Sequence, residues 1–169
     1  DAALDFPLSE LMLKGPQAEL RQTENAQPAI LAVSLAYHSV MRELLGENMP
    51  HPKFVAGHSL GEYTAMVVAG AISPEEAFRL VRIRAQLMQT ASSQSPSGMA
   101  AVIGFDKNKA IQVCAETGVQ LANINTDDQI VISGDKIAVA RAMDLASVRG
   151  AKKAIPLPVS GAFHSSLMA

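Results

Sequence analysis

Residues 54–63 constrain the fold of this chain more than any other stretch, because they contain the pattern Gly57-x-Ser59-x-Gly61. This G-x-S-x-G pattern is typical of a nucleophile elbow, a sharp turn between a strand and a helix that holds a serine in a strained backbone conformation. The apolar residues before it predict a buried strand, and residues 60–69 predict a helix. We expect Gly57 and Gly61 to lie where a side chain would block the close approach of helix to strand.

A serine in such a turn is placed to act as a nucleophile. Ser59 would lie at the N-terminus of the following helix, where unpaired N–H groups and the positive end of the helix dipole stabilise an oxyanion. The alternative interpretation is a glycine-rich turn with an incidental serine. The pattern therefore favours nucleophilic catalysis at Ser59 and leaves the structural alternative open.

Composition narrows the class of protein. The chain has 169 residues, of which 49% are hydrophobic and 18% charged, which predicts one domain of ordinary size with a packed core. The net charge of -2, without a basic block, argues against nucleic acid or an anionic membrane as the main partner. No apolar run is long enough to span a bilayer. The single cysteine, Cys114, excludes an internal disulfide and indicates a cytoplasmic location.

The sequence on both sides of the elbow predicts helices. The sequence predicts helices over residues 7–13, 16–20 and 27–45, the last with Pro28 near its first turn and Gly46 just after its end. After the elbow helix, Ser73-Pro74-Glu75-Glu76 forms a capping box, which predicts a helix to about residue 90.

The pattern changes after residues 91–98, whose composition predicts a linker. Asp106 and Asp135 are each placed to cap a helix between predicted strands. The predicted strands are 99–105, 119–124, 129–133 and 151–157. This βαββαβ order is the split βαβ arrangement of ferredoxin-like folds. We expect an α/β protein with three parts: 1–92 carrying the elbow, 98–158 as a ferredoxin-like unit, and 159–169 returning to the first part.

A serine nucleophile needs a general base, and four histidines compete for that role. His38 lies within a long helix, and His51 lies between prolines at the far end of the elbow strand. His58 is adjacent to Ser59, and neighbouring residues in a strand face opposite sides. By elimination, His164 is favoured as the base, with a histidine that merely caps a loop as the alternative.

Arg84 interrupts an apolar stripe on the predicted helix that follows the capping box. The stripe consists of Ala77, Leu80, Val81, Leu87 and Met88. A guanidinium on a buried face needs an anionic partner, because an unpaired charge is costly to bury. That partner is either an internal carboxylate or the carboxylate of a substrate, which the guanidinium would bind in bidentate geometry. A further alternative is a stem that packs on the apolar stripe while the guanidinium extends to solvent.

Two further positions give weaker indications of a functional role. Asn123, with Asn125 and Gln129, clusters about a predicted turn between two strands, where polar residues usually serve only the turn itself. Cys114 lies among apolar neighbours in a predicted helix and is expected in the core.

Taken together, these motifs resemble the malonyl-CoA:acyl carrier protein transacylase family, which includes the acyltransferase domains of fatty-acid and polyketide synthases. The resemblance covers nearly the whole chain in order and spacing. It is carried by residues 23–30, the elbow at 57–63, Arg84 with residues 87–89, residues 123–125 with 131–134, and Gly161-Ala162-Phe163-His164-Ser165.

The resemblance implies a role for each matching residue. Ser59 would be the acyl-carrying nucleophile, His164 its general base, and Arg84 the partner of the free malonyl carboxylate. Phe163 matches the malonyl-selecting form of the family, and the N–H of Leu60 would contribute to the oxyanion hole. His58 and Asn123 are the other residues that we expect to bind substrate.

The resemblance also implies an α/β-hydrolase-like large subdomain with the ferredoxin-like subdomain inserted into it. The implied reaction moves malonyl from coenzyme A to the phosphopantetheine thiol of acyl carrier protein, with both thioesters as substrates and no bound metal or redox cofactor. The family's glutamine loop before this region and its segment after His164 have no match here, so we expect an internal portion of the family domain. The alternatives are a serine esterase or thioesterase, and a non-catalytic module that docks carrier protein.

Overall fold

The computed structural model describes residues 1–159 and 161–169, and these form two compact units, residues 1–87 and residues 88–169. Across this described part, the chain is an α/β protein with seven α-helices and one antiparallel sheet of four strands. No helix in it combines the length and apolar character needed to cross a membrane. The division into parts 1–92, 98–158 and 159–169 stays a prediction.

The first unit is helical. It contains α1 (Leu8–Lys14), α2 (Gln17–Leu20), α3 (Thr23–Leu45), α4 (Gly61–Val68) and the first part of α5 (Pro74–Gln94), with a 3-10 turn at Gly46–Asn48. Its core is formed by Leu31, Leu60, Ala77 and Val81, each no more than 7% exposed. Because Leu60 follows the serine of the elbow directly and belongs to this core, packing fixes the position of the elbow.

The predicted capping box at the start of α5 is confirmed. The backbone N–H of Ser73 donates to Glu76 Oε2 at 2.8 Å, and the N–H of Glu76 donates to Ser73 Oγ at 3.2 Å. The predicted linker over 91–98 is wrong, since α5 continues to Gln94 and the first strand begins at Ser97. Two serine hydroxyls of this stretch bond to the helix itself: Ser92 Oγ donates to the Met88 carbonyl at 2.7 Å, and Ser93 Oγ donates to the Thr90 carbonyl at 2.7 Å.

Helix α3 begins at Thr23, four residues before the predicted start, so Pro28 lies inside the helix. Proline has no N–H, and the carbonyl of Glu24 therefore lacks its usual helical donor. Arg82 of α5 supplies one, with Nη1 donating to that carbonyl at 2.8 Å. The early start of α3 is thus supported by a contact from a helix more than fifty residues later in the sequence.

The buried strand predicted before the elbow is not present. Residues 54–57 have no regular secondary structure, and Phe54 is 90% exposed. A strand needs a neighbouring strand for its backbone hydrogen bonds. Within the described residues, every strand lies between Ser97 and Pro156, so the first unit offers none.

The second unit has the predicted βαββαβ order. Its elements are β1 (Ser97–Ile103), α6 (Lys107–Thr117), β2 (Gln120–Thr126), β3 (Gln129–Asp135), α7 (Lys136–Val148) and β4 (Lys153–Pro156), followed by a 3-10 turn at Ser166–Met168. The strands lie in the order β2-β3-β1-β4, all neighbours antiparallel, so β1 pairs with both β3 and β4. The predicted caps are confirmed: Asp106 accepts from two N–H groups of α6, and Asp135 from two of α7.

The core of the second unit lies between this sheet and the two helices α6 and α7. It includes Val102, Val113, Ile130, Ile132 and Ala142, each no more than 1% exposed. Cys114 is part of this core at 8% exposure, and burial raises the pKa of its thiol. The interpretation of Cys114 as a core residue is therefore confirmed.

Candidate active site

The elbow has the strained backbone that the sequence predicts. Ser59 adopts a φ of 53°, in the left-handed region that residues with a side chain rarely occupy. Two backbone hydrogen bonds close the turn, from the Gly61 N–H to the His58 carbonyl at 2.9 Å and from the Glu62 N–H to the Ser59 carbonyl at 3.3 Å. Helix α4 starts at Gly61, which places half-buried Ser59 two residues before a helix N-terminus.

The two glycines of the motif have different roles. A Cβ on Gly57 would lie 2.0 Å from both the carbonyl carbon and the carbonyl oxygen of Gly61, far inside contact distance. A Cβ on Gly61 would meet no atom within 4 Å in the described part of the chain. The expectation that both glycines allow the close approach holds for Gly57 and is wrong for Gly61, which opens the helix with free space at its side.

We expect Gly57→Ala to destabilise the full-length protein by about 1–3 kcal/mol or more, because the added methyl group must push the backbone of the elbow apart. Gly61→Ala is the matched control and should leave stability unchanged or slightly raised, since alanine favours helix over glycine. The free energy of unfolding in urea measures both. Equal stability of the two variants would contradict the assignment of the close contact to Gly57.

Arg84 reaches the elbow within the first unit. Its Nη2 donates to Ser59 Oγ at 2.8 Å, its Nη1 donates to Gln27 Oε1, and its guanidinium carbon lies 5.9 Å from the ring centroid of Tyr63. All three partners are neutral. Among residues 1–159 and 161–169, the ion pairs of arginines are Arg82 with Glu24 and Arg149 with Glu116, and Arg84 takes part in none. The internal carboxylate that was one of the two expected partners of Arg84 is therefore absent from the described residues.

Gln27 is a site residue that the sequence analysis missed. It is 7% exposed, and its Nε2 donates to Thr23 Oγ1 at 3.1 Å, one turn earlier on α3. Because the amide nitrogen is engaged by Thr23, the amide oxygen faces Arg84. The signal available in the sequence was the spacing of Thr23 and Gln27 by four residues, but it depended on α3 starting before Gln27.

The apolar stripe of α5 differs from the prediction. Its buried line is Ala77, Val81 and Ala85, each fully buried, while Leu80 and Leu87 are 45% and 65% exposed. Arg84 is half-buried at the edge of this line. That position lets its stem pack along the helix while its guanidinium contacts Ser59.

Of the remaining residues that the sequence analysis considered in the first unit, Leu60 and His58 lie in the elbow, and His38 and His51 line a separate cleft. Leu60 is 7% exposed and occupies the N-cap position of α4, whereas His58 is exposed. His38 and His51 instead line a cleft of about 710 Å³ together with Phe54, and Ser59 is not among its lining residues. This cleft therefore does not bring either histidine to Ser59.

The second unit carries the other predicted residues. His164 is exposed and, like Ser59, has a left-handed backbone, with a φ of 59°. Phe163 is half-buried, and Asn123 lies in β2 opposite Val131, next to a register shift. Asn125 Nδ2 donates to Gln129 Oε1 at 3.2 Å, which is the turn chemistry expected of that cluster. The pairing of His164 with Ser59, and substrate binding by Phe163 and Asn123, stay predictions.

Comparison with known proteins identifies the family of this site. A family model described as the acyl transferase domain matches residues 1–169. Malonyl CoA-acyl carrier protein transacylase of Bacillus subtilis is 47% identical over 173 residues, which cover 99% of this chain and 53% of that protein. The transacylase of Haemophilus influenzae is 43% identical, over 98% of this chain and 54% of that protein.

Solved structures agree with these sequence matches. The malonyl CoA-acyl carrier protein transacylase of Coxiella burnetii aligns with a TM-score of 0.92 and 43% identity, over 99% of this chain and 53% of that chain. A malonyl-transacylase in complex with a type II polyketide synthase acyl carrier protein aligns with a TM-score of 0.91 and 40% identity, over 99% of this chain and 54% of that chain. The chain thus spans about half the length of the relatives it matches. With its whole length matched by one family model, the chain belongs to the acyl transferase domain family.

Proposed function

We propose that this chain carries the nucleophile and the acid-recognition residue of an acyltransferase that moves malonyl from coenzyme A to acyl carrier protein. The observation that carries the proposal is the contact of the Arg84 guanidinium with the Ser59 hydroxyl at 2.8 Å, in an elbow whose serine has a positive φ. A nucleophile beside a cation suits an acyl group that itself carries a negative charge.

The charge of Arg84 is available to a substrate. Its described partners are an amide oxygen, a hydroxyl and an aromatic ring, so no carboxylate among residues 1–159 and 161–169 is paired with it. A carboxylate in bidentate geometry satisfies a guanidinium better than these neutral groups do. A plain esterase gains nothing from a cation at this position. The names of the relatives, which are malonyl CoA-acyl carrier protein transacylases, support the same substrate.

In the proposed reaction, the malonyl group is transferred twice, first to Ser59 and then to the carrier protein. In the first, Ser59 Oγ attacks the thioester carbonyl of malonyl-CoA while His164 takes the hydroxyl proton, and the C–S bond then breaks. Coenzyme A leaves as a thiol with that proton, and malonyl remains as a serine ester. In the second, the phosphopantetheine thiol of acyl carrier protein attacks the ester, His164 moves its proton to Ser59 Oγ, and malonyl leaves on the carrier.

The other predicted residues complete the proposal. The N–H of Leu60, at the start of α4, would donate to the oxyanion of both tetrahedral intermediates. Phe163, His58 and Asn123 would contact the substrate, with Phe163 selecting malonyl over larger acyl groups.

The proposed mechanism needs no metal or redox cofactor. Coenzyme A and phosphopantetheine thioesters act as substrates, and a cytoplasmic location with neither nucleic acid nor membrane as partner fits the charge and cysteine content.

We extend the proposal to the architecture. The helical first unit would belong to an α/β-hydrolase-like subdomain, and the β2-β3-β1-β4 sheet with α6 and α7 would be a ferredoxin-like subdomain inserted into it. Residues 159–169 would return the chain to the large subdomain. The element order of the second unit supports the ferredoxin-like assignment.

The proposal is tested by intact mass of the full-length protein after incubation with malonyl-CoA, followed by addition of holo acyl carrier protein. We expect a malonyl adduct on the enzyme that disappears as malonyl-carrier forms. Release of free malonate to water instead would indicate a thioesterase. Binding of carrier protein without any adduct would indicate a docking module.

His164→Ala should slow malonyl transfer by about 100-fold or more at neutral pH, because the serine proton then has no positioned acceptor. His51→Ala is the matched control, since His51 is an exposed histidine of the first unit, and it should keep the wild-type rate. The measurement is the single-turnover rate of acylation. Near-normal transfer by the His164 variant would remove the base from the proposal.

A further inference from the structure

The segment that carries His164 is held from both sides by side chains of its own compact unit. Ser97 Oγ accepts from the Ala162 N–H at 3.2 Å, and Ser165 Oγ donates to the Ala162 carbonyl at 2.6 Å. Gln120, at the start of β2, makes two hydrogen bonds with Ser166, as its Oε1 accepts from the N–H at 2.8 Å and its Nε2 donates to Oγ at 2.8 Å. His164 therefore lies between two anchored points.

A close steric contact adds to these hydrogen bonds. Gly161 packs against Ser92 of α5 so tightly that a Cβ on the glycine would lie 1.9 Å from Ser92 Oγ and 2.8 Å from its Cβ. Ser92 is itself fixed, since it is 8% exposed and its hydroxyl donates to the Met88 carbonyl. The segment cannot slide along the helix at this point.

The anchors have a consequence for the histidine because its backbone is strained. A φ of 59° costs a residue with a side chain roughly 1–2 kcal/mol, and such strain persists only where the surroundings impose it. If one anchor is lost, we expect His164 to relax towards negative φ, which turns its imidazole away from its native direction. Displacing a catalytic group by about 1 Å can cost up to about 100-fold in rate.

We propose that Gln120, together with the contact of Gly161 with Ser92, is a positioning element for His164 in the acyl transfer. This inference rests on the proposed role of His164 as general base. Gln120 touches neither nucleophile nor acyl group in this scheme and acts only by keeping the turn at residues 165–166 in place. Its loss should therefore lower the rate of acylation without changing which acyl donor is preferred.

The first test uses single-turnover acylation of the full-length protein by malonyl-CoA. Gln120→Ala should lower the rate about 10-fold or more. Gln120→Glu should keep it within about threefold, because a carboxylate still accepts from the Ser166 N–H and hydroxyl. Gln112→Ala, an exposed glutamine on α6, is the matched control and should behave as wild type. In a His164→Ala background, Gln120→Ala should cause no further loss, since it acts only through that histidine.

The second test uses steric rescue. Gly161→Ala should slow acylation about 10- to 100-fold, and Ser92→Gly in the same chain should restore it to within about threefold, because both clashing atoms are removed. Gly98→Ala, where a Cβ meets nothing within 4 Å among the described residues, is the control. Recovery of the rate on removal of the Ser92 side chain is a result that general destabilisation does not give, because a second destabilising substitution would lower the rate further.

The outcomes separate the two proposals. A wild-type rate for both Gln120→Ala and Gly161→Ala, with a slow His164→Ala, would overturn the positioning role and leave the proposed function intact. An equal loss from Gln120→Ala in the presence and absence of His164 would also overturn it. A wild-type rate for His164→Ala would remove the base from the proposed function and overturn the positioning role with it, whereas absence of any malonyl adduct on the wild-type protein would overturn the proposed function itself.

Discussion

Ser59→Ala is expected to abolish the malonyl-enzyme adduct. Ser59 Oγ is the hydroxyl that the elbow presents, with its backbone held at a φ of 53° and its oxygen contacted by Arg84. Removing the nucleophilic serine lowers kcat about a millionfold in a serine hydrolase. The residual rate would lie below the detection limit of most transfer assays. The measurement is intact mass and peptide mapping of the full-length protein after incubation with malonyl-CoA.

The control for this experiment is Ser39→Ala, which removes an exposed hydroxyl from α3 and should leave acylation unchanged. Both variants should retain the wild-type melting temperature, because a hydroxyl is exchanged for a hydrogen at positions outside the core. A malonyl adduct persisting on the Ser59 variant, on whatever residue, would remove Ser59 as the nucleophile.

Arg84→Ala should lower kcat/KM for malonyl donors and spare acetyl donors. The carboxylate of malonyl loses a charge-assisted pair at half-buried Arg84, and loss of such a pair costs about 2–5 kcal/mol, or roughly 30- to 5,000-fold. An acetyl group has no carboxylate, so its transfer should be unchanged or faster. Arg84→Lys should restore malonyl transfer only in part, since a point charge cannot form the bidentate pair.

Arg79→Ala is the matched control for Arg84, because Arg79 lies on the same helix and is exposed. It should leave both donors unaffected. A parallel loss for malonyl and acetyl donors in Arg84→Ala, together with a lower melting temperature, would mean that Arg84 serves the fold through Gln27 rather than the substrate.

The sequence predicted best the features that a few neighbouring residues determine. Ser73 with Glu76, Asp106 and Asp135 each cap a helix through backbone groups two or three positions away, so their effect is readable from spacing alone. The left-handed backbone of Ser59 follows from the elbow pattern for the same reason. The βαββαβ order of the second unit was readable because its strands are short, apolar and bounded by turn residues.

The sequence failed where composition was misleading and where a distant residue decides the local structure. Residues 91–94 read as a linker by composition, yet they continue α5, because serine hydroxyls can bond to carbonyls of the preceding turn. The contact of Gln27 with Arg84 joins residues 57 positions apart, and no periodicity on either helix predicts it. The strand expected at residues 54–57 depends on a partner strand, which local sequence does not supply.

The carbonyl of Glu24 makes the residues at positions 28 and 82 interdependent. While Pro28 withholds a donor from this carbonyl, Arg82 compensates from another helix, so each residue sets the cost of changing the other. Truncating Arg82 is harmful in a chain with proline at 28 and milder in a chain whose residue 28 has an N–H. Such coupling, a form of epistasis in which one residue sets the size of the other's effect, favours an order of change: replacement of the proline first lowers the cost of replacing the arginine.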